Sequence, residues 1–121
     1  MSASMISIID DDESMRFALA GLVRSFGFGA KTYGSAEEFL TSGTSEASSC
    51  IITDIQMPGL SGIQLKQWLD DHASTAPVIL ITARSEPHIH AQARASGAVC
   101  LLKKPFDADT LLACLKKARV A

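Results

Sequence analysis

Short apolar runs alternate with longer stretches of helical periodicity along this 121-residue sequence. The runs are Met5 to Ile9, Ala30 to Tyr33, Cys50 to Thr53, Val78 to Ile81 and Val99 to Leu102. Such alternation is typical of parallel βα units, in which a helix follows each strand and packs back on the sheet. The middle runs are apolar on both sides, which suits strands covered by helices on both faces. The sequence therefore predicts an α/β fold, a doubly wound (βα)5 parallel sheet forming a single domain over residues 1–121.

Local signals mark the ends of most of the helices. Apolar residues at helical spacing from Met15 to Phe26, followed by Gly27, predict the first helix and its C-terminal cap. The segments Ser35 to Glu38 and Ser61 to Gln64 have the pattern of a capping box, so they predict the starts of the second and third helices. Asp107 is expected to cap the fifth.

The fourth helical stretch, from Ser85 to Ser96, has the weakest signal. It contains Pro87 near its start and mostly alanines after it. Little apolar area is therefore available to anchor this helix to the sheet. We expect it to be the mobile element of the domain.

The overall charge excludes some classes of partner. A net charge of −2 provides no broad basic field, so this segment is not expected to bind nucleic acid. No apolar run reaches the ~18 residues of a membrane-spanning helix, and no basic segment precedes an apolar leader. These observations predict a cytoplasmic domain with no membrane partner.

The cysteines form no recognisable metal-binding or redox motif. Cys50, Cys100 and Cys114 lie within apolar stretches at spacings that match neither a CxxC pair nor a metal finger. We therefore expect all of them to be reduced, buried thiols.

Polar residues follow four of the predicted strands. Asp10, Asp11 and Asp12 follow the first, Asp54 the third, Thr82 the fourth, and Lys104 comes just after the fifth. In an open parallel sheet, ligands bind beyond the carboxyl ends of the strands, where these side chains converge. An acidic run after a strand is by itself often a solvated helix start, favoured by the helix dipole. The joint placement of carboxylates, a hydroxyl and an ammonium favours a site instead.

Crowded carboxylates at one edge of a sheet require a compensating cation. Two carboxylates about 4 Å apart repel by roughly 4 kcal/mol at an effective dielectric constant of 20. Mg²⁺ prefers oxygen ligands and keeps several waters, which leaves room for an incoming phosphoryl oxygen. A lysine ammonium adds a mobile positive charge. The pattern predicts a phosphate-handling site that binds Mg²⁺.

The sequence resembles the response-regulator receiver family over most of its length. The resemblance rests on Ile8 to Glu13, Thr53 to Gly62, Ile81 to Ala83, and Lys104 to Phe106. It implies the flavodoxin-like strand order 2-1-3-4-5. The spacing and the segment Ser35 to Leu40 are most similar to the FixJ and NarL-type transcription regulators, which carry a DNA-binding domain after the receiver. Whether an output domain follows Ala121 stays open at this stage.

The resemblance also implies a role for each site residue. Asp54 would be the phosphoacceptor. The Mg²⁺ ligands would be Asp11, Asp54, the backbone carbonyl of Gln56, and Asp10 acting through water. Thr82, Ala83 and Lys104 would contact the phosphoryl group, and the Lys104–Pro105 bond would be cis.

Further expectations concern the switch, its timing, the partners and enzymatic activity. Leu101 stands where the family often has Tyr or Phe, so any coupling through that position lacks an aromatic ring. Gln56 and Arg84 would border the path of the water that hydrolyses the acyl phosphate. The implied partners are a sensor histidine kinase and a second copy bound through the face formed by the fourth helix, fifth strand and fifth helix. Apart from its own phosphorylation and dephosphorylation, the domain would not be an enzyme.

Two other classes share parts of this pattern. A haloacid-dehalogenase-like phosphatase also uses a strand-end Asp, Mg²⁺, Thr and Lys, but its nucleophile resembles Asp-x-Asp, whereas this chain has Asp54-Ile55-Gln56. A flavodoxin-like cofactor binder would favour Gly, Ser and Thr after the first strand, where this chain is acidic. Phosphomonoester turnover and yellow colour distinguish these classes from a receiver.

Overall fold

The predicted strands form one parallel sheet in the order β2-β1-β3-β4-β5. The structure is a computed structural model that describes residues 4–43 and 47–120. The strands are β1 (Met5–Ile9), β2 (Gly29–Tyr33), β3 (Cys50–Asp54), β4 (Val78–Thr82) and β5 (Cys100–Lys103). The helices are α1 (Glu13–Ser25), α2 (Ala36–Thr41), α3 (Gly62–Asp71), α4 (Pro87–Ala95) and α5 (Ala108–Lys117). The predicted fold class and strand order are confirmed.

The sheet separates two apolar cores. Every residue of β3 and β4 is buried, as expected for strands covered on both faces. Helices α1 and α5 contribute to the core on one face, and α2, α3 and α4 contribute to the core on the other. In the edge strand β2, Lys31 and Thr32 are exposed. Because side chains alternate along a strand, Cys100 and Leu102 of β5 face the α1/α5 side, whereas Leu101 faces the α4 side.

The helix caps agree with the sequence at all but one position. Gly27 has a φ of +96° just after α1, a conformation that glycine adopts without steric cost. Ser61 and Gln64 form both hydrogen bonds of a capping box, and Asp107 accepts from the Thr110 N–H. The capping box predicted at Ser35 is half wrong. Ser35 accepts from the Glu38 N–H, but the Glu38 carboxylate accepts from the Gly34 N–H rather than from Ser35.

Helix α4 is weakly anchored, as the sequence predicts. It starts at Pro87 and has no side-chain cap, and Ile89 and Ala93 are its only buried residues. The longer helices α1 and α5 each bury three side chains, which include Leu19 and Val23 in α1 and Leu111 and Leu115 in α5. Helix α4 therefore has little buried apolar area with which to hold itself against the sheet.

The prediction for the cysteines is wrong in part. Cys50 is a buried free thiol, as expected. Cys100 of β5 and Cys114 of α5 instead form a disulfide, because the packing of α5 on the sheet brings their Cα atoms to 5.9 Å. That separation lies within the usual range for a disulfide. The sequence separation of 14 residues gives no local sign of the pairing.

Two findings complete the fold. Among the described residues, no helix combines the length and apolar character required to cross a membrane. The polar segment between α2 and β3 lies partly outside the described residues, which leave out 44–46.

Candidate functional site

The residues that follow the strands converge at one edge of the sheet. Asp54 ends β3 and Thr82 ends β4, while Asp10 comes directly after β1. The register pairs Ile9 with Thr53, which brings Asp10 level with Asp54. Lys104 follows β5 and donates its backbone N–H to the Thr82 carbonyl at 2.8 Å. Four strand ends thus deliver their polar side chains to a single site.

An acidic cluster forms the centre of this site. Asp10, Asp11 and Asp54 each place a carboxylate oxygen within 4.8 Å of the others. Asp10 is 1% exposed and Asp54 is 6% exposed, whereas Asp11 faces solvent. Asp12 has a different role, since its carboxylate accepts from the Ser14 and Met15 N–H groups and caps α1. The acidic run therefore divides into cluster residues and a helix cap.

Lys104 is the cation of the site. Its Nζ lies 3.3 Å from Asp10 Oδ2 and 3.7 Å from Asp54 Oδ1. The other oxygen of Asp10 accepts from the Asp12 N–H at 2.9 Å. One ammonium among three neighbouring carboxylates leaves an excess of negative charge. A hard divalent cation with oxygen ligands fits this donor set, which is compatible with Mg²⁺.

Among the residues of the acidic cluster, Asp54 has a strongly raised pKa. The pKa of its carboxyl is raised from 3.8 to about 6, first by burial and then by the charges of Asp10 and Asp11. Lys104 and the Ile55 N–H, which donates to Asp54 Oδ1 at 3.1 Å, lower this pKa. Desolvation of Asp54 and its repulsion by Asp10 and Asp11 therefore raise its pKa more than Lys104 and the Ile55 N–H lower it. A bound cation would reverse that balance.

The loop after β3 is held by contacts that the sequence motifs did not reveal. Glu37 of α2 accepts from the Leu60 N–H at 2.8 Å, and this bond lowers the pKa of Glu37. Gly59 has a φ of +78°, and a Cβ there would meet the Glu37 carboxylate. A Cβ at Gly62 would overlap the Asp54 carbonyl. The absence of a side chain at Gly62 lets the start of α3 lie against the Asp54 carbonyl, and the absence of one at Gly59 leaves room for the Glu37 carboxylate.

Thr82 has a hydrogen-bond partner within the site. Its hydroxyl donates to Gln56 Oε1 at 2.7 Å and accepts from the Arg84 N–H at 3.0 Å. The Arg84 guanidinium pairs with Glu86 at 3.3 Å on an exposed surface. The side chain of Gln56 is therefore tied to β4, a contact that its candidate role as a backbone ligand did not suggest.

The remaining candidates lie around this centre. Ala83 is exposed, directly after Thr82. Leu101 is partly buried and packs against the core on the α4 side. The Lys104–Pro105 bond is cis, which confirms that prediction. Leu101 therefore belongs to the wall beneath α4 rather than to the acidic cluster.

Fold and site together define the class of this protein. The family described as response regulator receiver domain matches residues 6–116, and the chain belongs to this family. Members of this family are the regulatory phosphoacceptor modules of two-component signalling, and as a class they interact with sensor kinases. The phosphatase and flavodoxin-like alternatives are therefore rejected.

Individual relatives refine this assignment. The transcriptional regulatory protein FixJ of Bradyrhizobium diazoefficiens is 35% identical over 93% of this chain and 55% of its own length. The response regulator protein TodT of Pseudomonas putida is 34% identical over 96% of this chain and 51% of its own. Full-length FixJ from B. japonicum superimposes with a TM-score of 0.88 at 34% identity, covering 98% of this chain and 59% of that one. The chain thus spans about half the length of the curated relatives that it matches.

Proposed function

We propose that Asp54 accepts a phosphoryl group from a phosphohistidine of a sensor histidine kinase. The observation that carries this proposal is the buried Asp54 carboxylate, flanked by Asp10 and Asp11 on one side and Lys104 on the other. An oxygen of Asp54 attacks phosphorus in line, the phosphorus–nitrogen bond of the donor breaks, and the imidazole leaves. The product is an acyl phosphate that water later hydrolyses.

Asp11, Asp54 and the backbone carbonyl of Gln56 would hold Mg²⁺ directly, with Asp10 acting through water. When bound, the ion would offset charge on the phosphoryl oxygens and relieve the repulsion within the acidic cluster. The engagement of both Asp10 oxygens by Lys104 and the Asp12 N–H supports an indirect role for Asp10. Exposure leaves Asp11 accessible to a hydrated ion.

The phosphoryl group would compete for groups that already have partners. Lys104 would move from the carboxylates toward a phosphoryl oxygen, since charge-assisted bonds of this type are strong. Thr82 would exchange Gln56 Oε1 for another phosphoryl oxygen. That exchange pulls on the loop from Ala83 to Glu86, which leads into the weakly anchored α4.

The output of this switch is proposed to be control of transcription. The FixJ relative is a transcriptional regulator, and the matching region makes up 55% of its length. We propose that the changed region from Ala83 to Leu101 acts on an output domain or on a second copy docked through α4, β5 and α5. A phosphohistidine donor is made from ATP, so the proposal places the domain in the cytoplasm.

The phosphoacceptor assignment is tested by intact-mass spectrometry after incubation with acetyl phosphate and Mg²⁺. The parent is expected to gain one phosphoryl group. Asp54→Asn is expected to gain none because an amide nitrogen and oxygen are poor nucleophiles, while the matched control Asp12→Asn labels like the parent. Full labelling of Asp54→Asn would refute the assignment.

The proposed path of the switch is tested by amide chemical shifts with and without the phosphate mimic beryllofluoride. We expect Thr82, the segment from Ala83 to Ala95, and Leu101 to shift more than α1. The response at Leu101 should be small, since no aromatic ring is present to report it. Large shifts confined to α1 and α5 would place the signalling face elsewhere.

A further inference from the structure

The disulfide between Cys100 and Cys114 joins two elements of the α4, β5 and α5 face. Cys100 is the first residue of β5, and Cys114 lies in the middle of α5. Cys100 is partly exposed, whereas Cys114 is 4% exposed. The pair therefore combines one partly exposed cysteine with one shielded cysteine, as a thiol pair needs when a first thiolate attacks the oxidant and a second resolves the mixed disulfide.

The surroundings of Cys100 are positively charged. A surface cavity beside β5 is lined by Cys100 together with Arg94, Lys103 and Lys117. No Asp or Glu lines it among the residues that the structure describes. An anionic small molecule that reaches this cavity therefore meets complementary charge.

Cys50 is the internal contrast. It is fully buried in the core, and burial raises the pKa of its thiol to about 12. A thiol in such surroundings has almost no thiolate and is inert toward disulfides. The chain thus contains a cysteine pair of which Cys100 is partly exposed, and an unpaired, unreactive thiol that is fully buried.

We propose that Cys100 and Cys114 are a reversible redox site whose oxidant is a small anionic disulfide of the glutathione class. The Cys100 thiolate attacks one sulfur of the oxidant and releases one glutathione thiolate. The Cys114 thiolate then attacks the Cys100 sulfur of the mixed disulfide and releases the second glutathione. The protein loses two electrons and two protons, and the oxidant becomes two reduced glutathione molecules.

Oxidation would restrain the face through which the domain is proposed to signal. The bond ties the start of β5 to α5 directly beside Leu101, which packs on the α4 side of the same strand. A covalent cross-link between two elements opposes local opening of either one. The oxidised domain therefore holds β5 and α5 together, whereas the reduced domain leaves them joined by packing alone.

The site is tested on folded, fully reduced protein exposed to oxidised glutathione without oxygen or denaturant. Of the three cysteines, two are expected to lose their free thiols, with no glutathione retained and with Cys100 linked to Cys114 in the peptide map. Dithiothreitol should restore both thiols while the protein stays folded. Retained glutathione on the parent, or thiol loss in denaturant alone, would overturn the proposal.

Single variants distinguish the attacking cysteine, Cys100, from the resolving cysteine, Cys114. Cys114→Ser is expected to accumulate a stable mixed disulfide at Cys100, because the resolving thiol is absent; Cys114→Ala gives the same test should a buried serine prevent folding. Cys50→Ser is the matched control and should react like the parent. A Cys114 variant that retains no glutathione would contradict the assigned order of attack.

Two further measurements test the charge and the consequence. Lys103→Gln/Lys117→Gln should slow the reaction with oxidised glutathione several-fold but not the reaction with cystamine, a cationic disulfide. Amide hydrogen exchange in β5 and α5 should be at least about tenfold slower in the oxidised protein than in the reduced one. Equal slowing of both reagents, or equal exchange in both redox states, would refute the corresponding step.

Discussion

Replacing the Asp54 carboxyl by the amide of asparagine is expected to stabilise the metal-free protein, and more so at high pH. Burial and the charges of Asp10 and Asp11 raise the pKa of Asp54 from 3.8 to about 6, against the attraction of Lys104. Between these two values the unfolded chain has lost the Asp54 proton while the folded protein still holds it. Stability therefore falls as pH rises through this interval, and the loss is complete above pH 6.

The size of the effect follows from the change in pKa. At about 1.4 kcal/mol for each pH unit, a rise from 3.8 to about 6 corresponds to about 3 kcal/mol of unfolding free energy at pH 8. Roughly half of that is already lost at pH 5. Asparagine keeps the shape of the side chain without the charge. This figure already includes the attraction of Lys104, which offsets part of the cost of the charge on Asp54.

Urea unfolding of parent and Asp54→Asn from pH 5 to pH 8 measures this difference. The groups that titrate in both proteins cancel in the comparison, so the gap isolates Asp54. The matched control is Asp12→Asn, which makes the same chemical change in the same acidic run. Asp12 is exposed and caps α1, and asparagine caps helices about as well as aspartate. Its unfolding free energy should stay close to that of the parent at every pH.

Saturating Mg²⁺ provides the second half of the test. The ion should stabilise the parent by binding the folded state, whereas Asp54→Asn loses a charged ligand and should gain less. The gap between the two proteins should therefore narrow. If Asp54→Asn is no more stable than the parent at pH 8 without metal, or if the gap does not grow with pH, desolvation and repulsion at Asp54 are not the controlling terms.

Three other predictions concern the same site. Asp11→Ala should weaken Mg²⁺ binding more than about tenfold in titration calorimetry, whereas Asp12→Ala should leave it nearly unchanged, because Asp11 belongs to the acidic cluster and Asp12 does not. Equal losses of affinity would mean that the assignment of roles within the acidic run is wrong. The double variant Gln56→Ala/Arg84→Ala should lose radiolabelled phosphate faster than the parent in excess Mg²⁺, since two long side chains that border the path of the attacking water are removed. A rate of loss equal to the parent's or slower would show that these two side chains do not obstruct the water. Thr82→Val should still be labelled by acetyl phosphate but should lose most of the amide chemical-shift change that beryllofluoride induces in α4, because the hydroxyl that donates to Gln56 is absent. An undiminished chemical-shift change would show that the signal does not pass through this hydroxyl.

Much of the fold was predictable because its determinants are local. Each predicted strand agrees with the observed one to within a residue at either end, since a run such as Val78 to Ile81 is long enough to mark a buried strand without any tertiary information. The caps at Gly27, Ser61 and Asp107 follow equally from short-range hydrogen bonding and backbone conformation. Ser35 shows the limit of such signals, because Glu38 bonds to the N–H of Gly34, one residue away from the predicted partner.

The composition of the site was also predictable, whereas its internal contacts were not. In a parallel sheet, the carboxyl ends of the strands meet at one edge, so polar residues after four strands must converge there whatever the packing. The bond from Thr82 to Gln56 joins residues 26 apart, and the bond from Leu60 to Glu37 joins residues 23 apart. Neither pair has a sequence pattern, because each depends on how a loop lies against its neighbours.

The chain's own order of residues thus determines which groups reach the edge of the sheet, and the packing of helices determines how they are held. The apolar run of a strand and the polar residue that follows it lie within about five residues, so both can be recognised from the local sequence. The raised pKa of Asp54 depends instead on burial by surrounding elements and on the charges of Asp10 and Asp11, which follow β1. The Cys100–Cys114 disulfide likewise depends on α5 lying across β5 at a Cα separation of 5.9 Å. Solvent exclusion and interatomic distance between elements exist only once the helices have packed on the sheet, which is why these properties belong to the tertiary structure alone.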